Sequence, residues 1–443
     1  MIFSMSPVLF NFLSLVIYNC NIKDFLIKRL FLRLEKNSLK QTTGIIMEAV
    51  SQRIMNLAQS ATMAMNQMGT DMKARGIDVI NLSVGEPDFN TPDNIKAAAK
   101  KAIDDNFTFY PPAAGFPDLL QAVAEKFRRE NNLLFKPQQI VVSTGAKNSL
   151  ANVMLSLINK GDEVIIPAPY WVTYAEQVKL AEGENIIIKG DIDNNFKITP
   201  EQLEEVITPK TKALLLCSPN NPSGSFYSKT ELEGIARIIE KHPGIFVITD
   251  EIYEHINYTG KHETIGQFDS IQDRVVIING VSKAYAMTGW RIGYMAGPLW
   301  LAKACTKLQG QLTTGPTTIA QKAAVEALNG DQSCVAEMNI AFKRRRDLIL
   351  GLLKDIPGLK TSVPGGAFYV FPQVSSYFGR SSETGIIESS NDLCLYLLEK
   401  AHIATVPGEA FGEPSCIRIS FATSDENLTG AMGRMKKALA VLR

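Results

Sequence analysis

The sequence predicts an α/β fold: a large domain with a mainly parallel sheet sandwiched by helices, joined to a smaller α+β domain. Two observations carry this. Short runs rich in Ile, Val and Leu recur between turn residues and amphipathic stretches, and they are apolar throughout, as strands covered by helices on both faces must be. Beyond about residue 330 the rhythm changes to long helices and a strand with polar–apolar alternation. We place the large domain at 93–330 and the small domain at 47–92 together with 331–443.

In chain order, 50–76 has helical apolar spacing and ends at Gly76. A weak strand at 78–82 leads into the turn Ser83-Val84-Gly85-Glu86-Pro87-Asp88. Six apolar runs follow, at 140–142, 163–166, 186–188, 213–216, 245–248 and 275–278, with helices such as 147–159 and 229–241 between them. The last third offers a helix at 332–355, the turn-rich stretch 364–370, a helix at 391–400 and a strand at 417–421. There are no internal repeats.

Before all this, 2–18 is strongly apolar and is followed by Lys23, Lys28, Arg29, Arg33 and Lys36. A signal peptide carries its basic residues ahead of the apolar run. A membrane span needs about 20 apolar residues, and this run is shorter and broken by Ser4, Ser6, Pro7, Asn11 and Ser14. We read 1–46 as upstream sequence translated from an early start, with Met47 the true first residue; an anchor and a genuine extension are the alternatives.

Composition excludes several functions. With 46 basic and 45 acidic residues the net charge is +1, which argues against nucleic-acid binding through bulk charge. The run Lys343–Arg346 reads as a solvated helix face. Six scattered cysteines without a CxxC pair suggest a reducing, cytoplasmic setting rather than a disulfide framework. Four histidines, none at HExxH spacing, give no reason to expect a metal. After Met47 nothing resembles a membrane span.

In open parallel sheets ligands sit at the carboxyl ends of strands, so polar residues just after the apolar runs matter most. Thr144-Gly145-Ala146-Lys147 opens a helix whose N-terminus suits a phosphate, although an ordinary strand–turn–helix joint has the same look. Trp171, in Pro169-Tyr170-Trp171, can stack on a flat ring or fill a core. Asn220 and Asn221, held between Pro219 and Pro222, can aim an amide at a ring oxygen or simply make a turn. Asp250 follows a buried strand, where a carboxylate needs a partner such as a protonated ring nitrogen; a helix N-cap is the plainer reading. Tyr253 is placed to donate to a ring hydroxyl. Lys283 follows the strand 275–278 among small residues, with Arg291 eight positions on. A desolvated lysine near other cations can form a Schiff base, and an arginine fork suits a phosphate. An amine, a carboxylate for a pyridine nitrogen, a ring clamp and a phosphate cradle are the parts that pyridoxal phosphate requires.

These motifs, in this order and spacing, resemble those of the class I/II aminotransferases of the fold-type-I group of pyridoxal-phosphate enzymes. The resemblance spans about residues 50–440. Val84-Gly85-Glu86-Pro87-Asp88-Phe89, Pro169–Tyr174 and Ala286-Met287-Thr288-Gly289-Trp290-Arg291 are most similar to bacterial-type aspartate aminotransferases. It implies that Lys283 is the Schiff-base lysine and proton shuttle. Asp250 would keep the pyridine nitrogen protonated, Tyr253 and Asn221 would bond the ring oxygen, and Trp171 would stack on the ring. Gly145, Ala146, Lys147 and Arg291 would line the phosphate site. Arg418 would fork onto the substrate α-carboxylate, with Trp171 and Asn221 beside it and Gly85 approaching through its backbone. Tyr110 would reach a neighbouring subunit's phosphate, implying a homodimer with shared active sites. One position departs from many relatives: Gly280 stands three residues before the lysine, where they carry a phosphate-binding serine, and Ser282 is not assumed to replace it. Lys147 is also a candidate cation for a distal substrate carboxylate. The implied activity is ping-pong transamination between an amino acid and a 2-oxo acid, with aspartate and 2-oxoglutarate foremost. Aromatic amino acids or prephenate, and a lyase on the same fold, are the alternatives.

Overall fold

The computed structural model describes residues 50–383 and 385–443; the start-site reading of 1–46 lies outside the described residues. Residues 57–443 form one compact unit. Of the preceding residues, Gln52–Met55 form a single helical turn.

The expected helix at 50–76 is interrupted. Its main part is Ala61–Ala74, and the chain before it is extended at Ser60, whose side chain caps Met63. The amide of Ala58 is drawn off to donate to Glu176, at 2.8 Å. A tertiary acceptor thus takes a backbone group that a continuous helix would have used internally.

The strands are β1 (Ile80–Asn81), β2 (Ile140–Thr144), β3 (Glu163–Ala168), β4 (Glu184–Lys189), β5 (Thr211–Cys217), β6 (Phe246–Asp250), β7 (Val275–Gly280), β8 (Ile292–Ala296), β9 (Tyr369–Val370), β10 (Ser381–Ser382), β11 (Gly385–Ile386), β12 (Ile403–Ala404), β13 (Val406–Pro407) and β14 (Ile417–Ser420). Seven of them make one sheet in the order β2-β8-β7-β6-β5-β3-β4. All six expected runs lie in it. The seventh strand, β8, was not expected, and it runs antiparallel to both of its neighbours. Its signal is hidden by Gly293 within the strand and by Arg291 before it, which takes a left-handed φ of 58°.

Alternate residues of each strand feed two separate cores. Val142, Ile165, Leu214, Val247 and Ile277 join helices Asp93–Asp104, Pro117–Lys126, Lys229–Lys241 and Thr318–Asn329. Val141, Val164, Leu215, Ile248 and Val276 join helices Ala146–Leu157, Thr173–Leu180 and Leu299–Leu312. This is why the strands read as apolar on both faces.

A third core unites Met65, Ile80 and Leu82 with residues from Met338 to Leu442. Here the long helix Ser333–Lys354 packs with the terminal helix Asp425–Ala440. The expected helix 391–400 begins as Ser390–Tyr396 and widens into a π-turn at Leu397–Ala401. β1 pairs in parallel with β12, and β14 lies between β13 and β9. The alternation read at 417–421 does not mark a solvent face: all four residues of β14 are buried, Arg418 and Ser420 among them. Among the described residues no helix is long and apolar enough to cross a membrane.

Candidate active site

At the carboxyl ends of β5, β6 and β7 the chain leaves a cavity of about 280 Å³. Gly85, Ala146, Lys147, Trp171, Asn221, Asp250, Tyr253, Lys283, Arg291 and Arg418 all border it. Residues more than 300 positions apart are thus brought to one place by the fold, not by local sequence.

Lys283 sits in the turn after β7, and its Nζ donates to the carbonyl of Gly85 at 2.6 Å. Burial pushes its ammonium down to about 8; Glu86 opposes this, while Arg291 and Arg418 add to it. At that value a fraction of the amine is free base near neutral pH, as nucleophilic attack requires. Asp250 ends β6 and is buried. Burial raises its carboxyl to about 6, against the opposing hydrogen bonds of Tyr174 Oη, at 2.7 Å, and of the Ile252 amide, at 3.2 Å. A cation at the cavity would restore its ionised form.

Arg418, on β14, is 1% exposed. Its Nη1 donates to Asn221 Oδ1 at 3.0 Å, its Nη2 donates to the carbonyl of Ser83, and its guanidinium lies 4.6 Å from the ring centre of Tyr369. Its Nε has no hydrogen-bond partner. Tyr369 Oη is 2.8 Å from Tyr253 Oη. Lys147 Nζ lies 4.8 Å from the ring centre of Trp171, and burial, aided by Arg291, lowers its ammonium.

The helix Ala146–Leu157 begins at Gly145, which has φ 85°. The φ of Gly145 is one that favours glycine, and a Cβ there would push the Arg291 guanidinium aside. Arg291 is anchored by Nη1 donating to the carbonyl of Thr288 at 2.7 Å. Gly280 and Gly293 face each other across β7 and β8, and a Cβ on Gly280 would come within 2.9 Å of the Gly293 Cα. The departure at 280 therefore has a steric reason: the two strands run too close for a serine. Ser282 does border the cavity.

Tyr110 is not brought to this cavity. It is 89% exposed and borders a separate groove with Thr313 and Thr317. Sequence reasoning missed Tyr174, Tyr369, Cys217, Thr62 and Thr288, which also border the cavity. Tyr369 had a usable signal, the glycine-rich turn 364–366 just before it; the others look like ordinary helix or core residues.

The cavity fits a pyridoxal phosphate with an anionic substrate. Among the described residues, Lys147, Lys283 and Arg418 have no carboxylate within ion-pair distance, and Asp250 is the buried acid beside them. A positive cavity beside a helix N-terminus favours phosphate and carboxylate groups. Fold and cavity together mark an α/β enzyme that handles small anionic molecules with a cofactor.

Known proteins agree. The family model for aminotransferase class I and II matches residues 77–435. The aspartate/prephenate aminotransferase of Nitrosomonas europaea is 45% identical over 395 residues, covering 88% of this chain and all of that protein. The crystal structure of the aspartate aminotransferase from Rhizobium meliloti superposes with a TM-score of 0.86 at 43% identity, covering 89% of this chain and 99% of that one. The aspartate aminotransferase from Thermus thermophilus with maleate gives 0.83 at 40% identity, covering 88% and 99%. The chain belongs to the class I and II aminotransferase family, and its cofactor is pyridoxal 5'-phosphate.

Proposed function

We propose that this aminotransferase takes aspartate as amino donor and 2-oxoglutarate as acceptor. The observation that carries the reading is the set of cations without carboxylate partners in one cavity: Arg418 for an α-carboxylate, Lys147 for a distal one, and Lys283 in the same lining. Thr62 Oγ1, buried in the same wall without a partner, is a further donor for the distal carboxylate. The neighbour solved with maleate, a dicarboxylate, supports the same choice.

Bound pyridoxal phosphate supplies a conjugated ring that accepts the electron pair released at the substrate Cα. Lys283 Nζ would anchor the group covalently and, once freed, its amine would hold and move the proton taken from the substrate Cα. The Asp250 carboxylate would hold the pyridine N–H, Tyr253 and Asn221 would donate to the ring oxygen, and Trp171 would cover the ring. Gly145, Ala146, Lys147 and Arg291 would line the phosphate site. With no cofactor attached, Nζ donates to the Gly85 carbonyl at 2.6 Å, which keeps the amine at the cavity.

A second substrate reading follows from the relative that acts on prephenate as well as aspartate: Lys147 would serve the side-chain carboxylate of either. We also propose a cytoplasmic homodimer in which exposed Tyr110 completes the partner's phosphate site, and two lobes, 93–330 and 47–92 with 331–443, which the separate apolar cores support. The test is single-turnover half-reactions against a panel of amino acids, followed by cofactor absorbance, with and without an oxo-acid acceptor. Fast half-reactions with aspartate and glutamate alone support the reading. A preference for monocarboxylic donors, or steady turnover without an acceptor as a lyase would show, overturns it.

A further inference from the structure

Residues 250–255 present two faces. Asp250 and Tyr253 border the cavity, whereas Glu251, Glu254 and His255 turn to a second group of charges. Lys126, with no exposed side chain, is ion-paired with buried Glu254, and its Nζ donates to Asn131 Oδ1 at 2.7 Å. Asn131 in turn donates to Glu254 Oε2 at 2.9 Å. Lys126 ends the helix Pro117–Lys126, and Asn131 ends the π-turn Phe127–Asn131 that continues it; such turns recur at functional sites. His255 pairs with Glu130 at 2.9 Å, and His262 with Glu251 at 2.9 Å, where Thr264 also donates at 2.6 Å. Burial works against charge on Glu254, but Lys126, His255 and His262 hold its carboxyl well below the usual range.

The network has a second attachment. Asn279, on β7, donates to Glu254 Oε1 at 2.8 Å, and its Oδ1 accepts the Gly280 amide at 2.7 Å. Gly280 ends β7, just before the turn that carries Lys283. Glu254 therefore ties together the segment holding Asp250 and the segment holding Lys283.

We infer that the Lys126–Glu254–Asn279 network is a positioning device that fixes Asp250 and Lys283 relative to each other. A buried ion pair adds little net stability over a well-packed apolar pair. It does impose geometry, because each charge accepts only a few directions of hydrogen bond. The inference rests on the roles proposed above for Asp250 and Lys283, which misplacement by about 1 Å would impair up to 100-fold.

The test uses the holoenzyme and three variants: Glu254→Gln, Asn279→Ala, and the double variant Lys126→Met/Glu254→Leu, which leaves no orphan charge. Amide hydrogen exchange and steady-state kinetics are measured for each. The expected result is faster exchange in 250–256 and 279–283 together, with kcat down about 10- to 100-fold and KM for the amino donor within about twofold, since Arg418 and Lys147 lie on other elements. Unchanged kcat in a folded variant, or loosening confined to one of the two segments, overturns the inference. Borohydride trapping of cofactor at Lys283 in the wild type keeps the two readings apart. No trapped label there refutes the role of Lys283, whereas a trapped label with unaltered exchange in the variants refutes the network alone.

Discussion

The two charged centres that share residues 250–255 follow opposite rules. Around the cavity, Lys147, Lys283 and Arg418 lack carboxylate partners among the described residues. Behind the same segment, Lys126, Glu254, Glu251 and His262 are paired with one another. Buried charge without a partner is costly. The first centre is therefore completed by a ligand, and the second is complete within the chain. Pairing, not the number of charges, separates a site from its support.

Five changes test that contrast, in falling order of effect. Lys283→Ala removes both anchor and proton carrier, so turnover should fall about 10⁴-fold and the bound-cofactor absorbance should vanish. Steady transamination by this variant would place the chemistry elsewhere. Arg418→Ala should lower kcat/KM for every amino donor by about 10- to 100-fold, since it removes a charged hydrogen-bonding fork common to all of them. An effect limited to one donor would show that Arg418 does not hold the α-carboxylate. Lys147→Ala should cost about tenfold for dicarboxylic donors beyond whatever it costs monocarboxylic ones. Equal losses for both would confine Lys147 to the phosphate.

The smallest effect is on apoprotein stability. The folded lysine at 283 releases its proton at about 8, below its ordinary value of 10.5. Between those values the unfolded chain binds the extra proton, so stability rises with pH across that window. Lys283→Met should lack this rise. Asp250 works the other way. Its carboxyl, raised to about 6, makes stability fall as pH climbs from about 4 through 6, and Asp250→Asn should flatten that slope. Denaturant titrations at several pH values measure both.

Much of this was legible in the sequence because the sheet is buried on both sides. Strands such as 213–217 are apolar without interruption, so the polar residues that follow them stand out. Asp250 and Lys283 are conspicuous for that reason. Tyr174 and Tyr369 were not, since a hydroxyl aimed at Asp250 or Tyr253 is set by tertiary contact and an aromatic residue in a helix or strand looks like core. The helix break near residue 58 depends on Glu176, more than a hundred positions away. The network behind the site carries no signal in the sequence, because only the fold buries Lys126 and Glu254.

Arg418 holds Asn221 by its oxygen. An amide gripped at that end can show a ligand only its N–H₂ group, so the polarity of this wall is decided at a residue nearly two hundred positions distant. A deprotonated phenolic ring edge is welcome there, and a second donor is not.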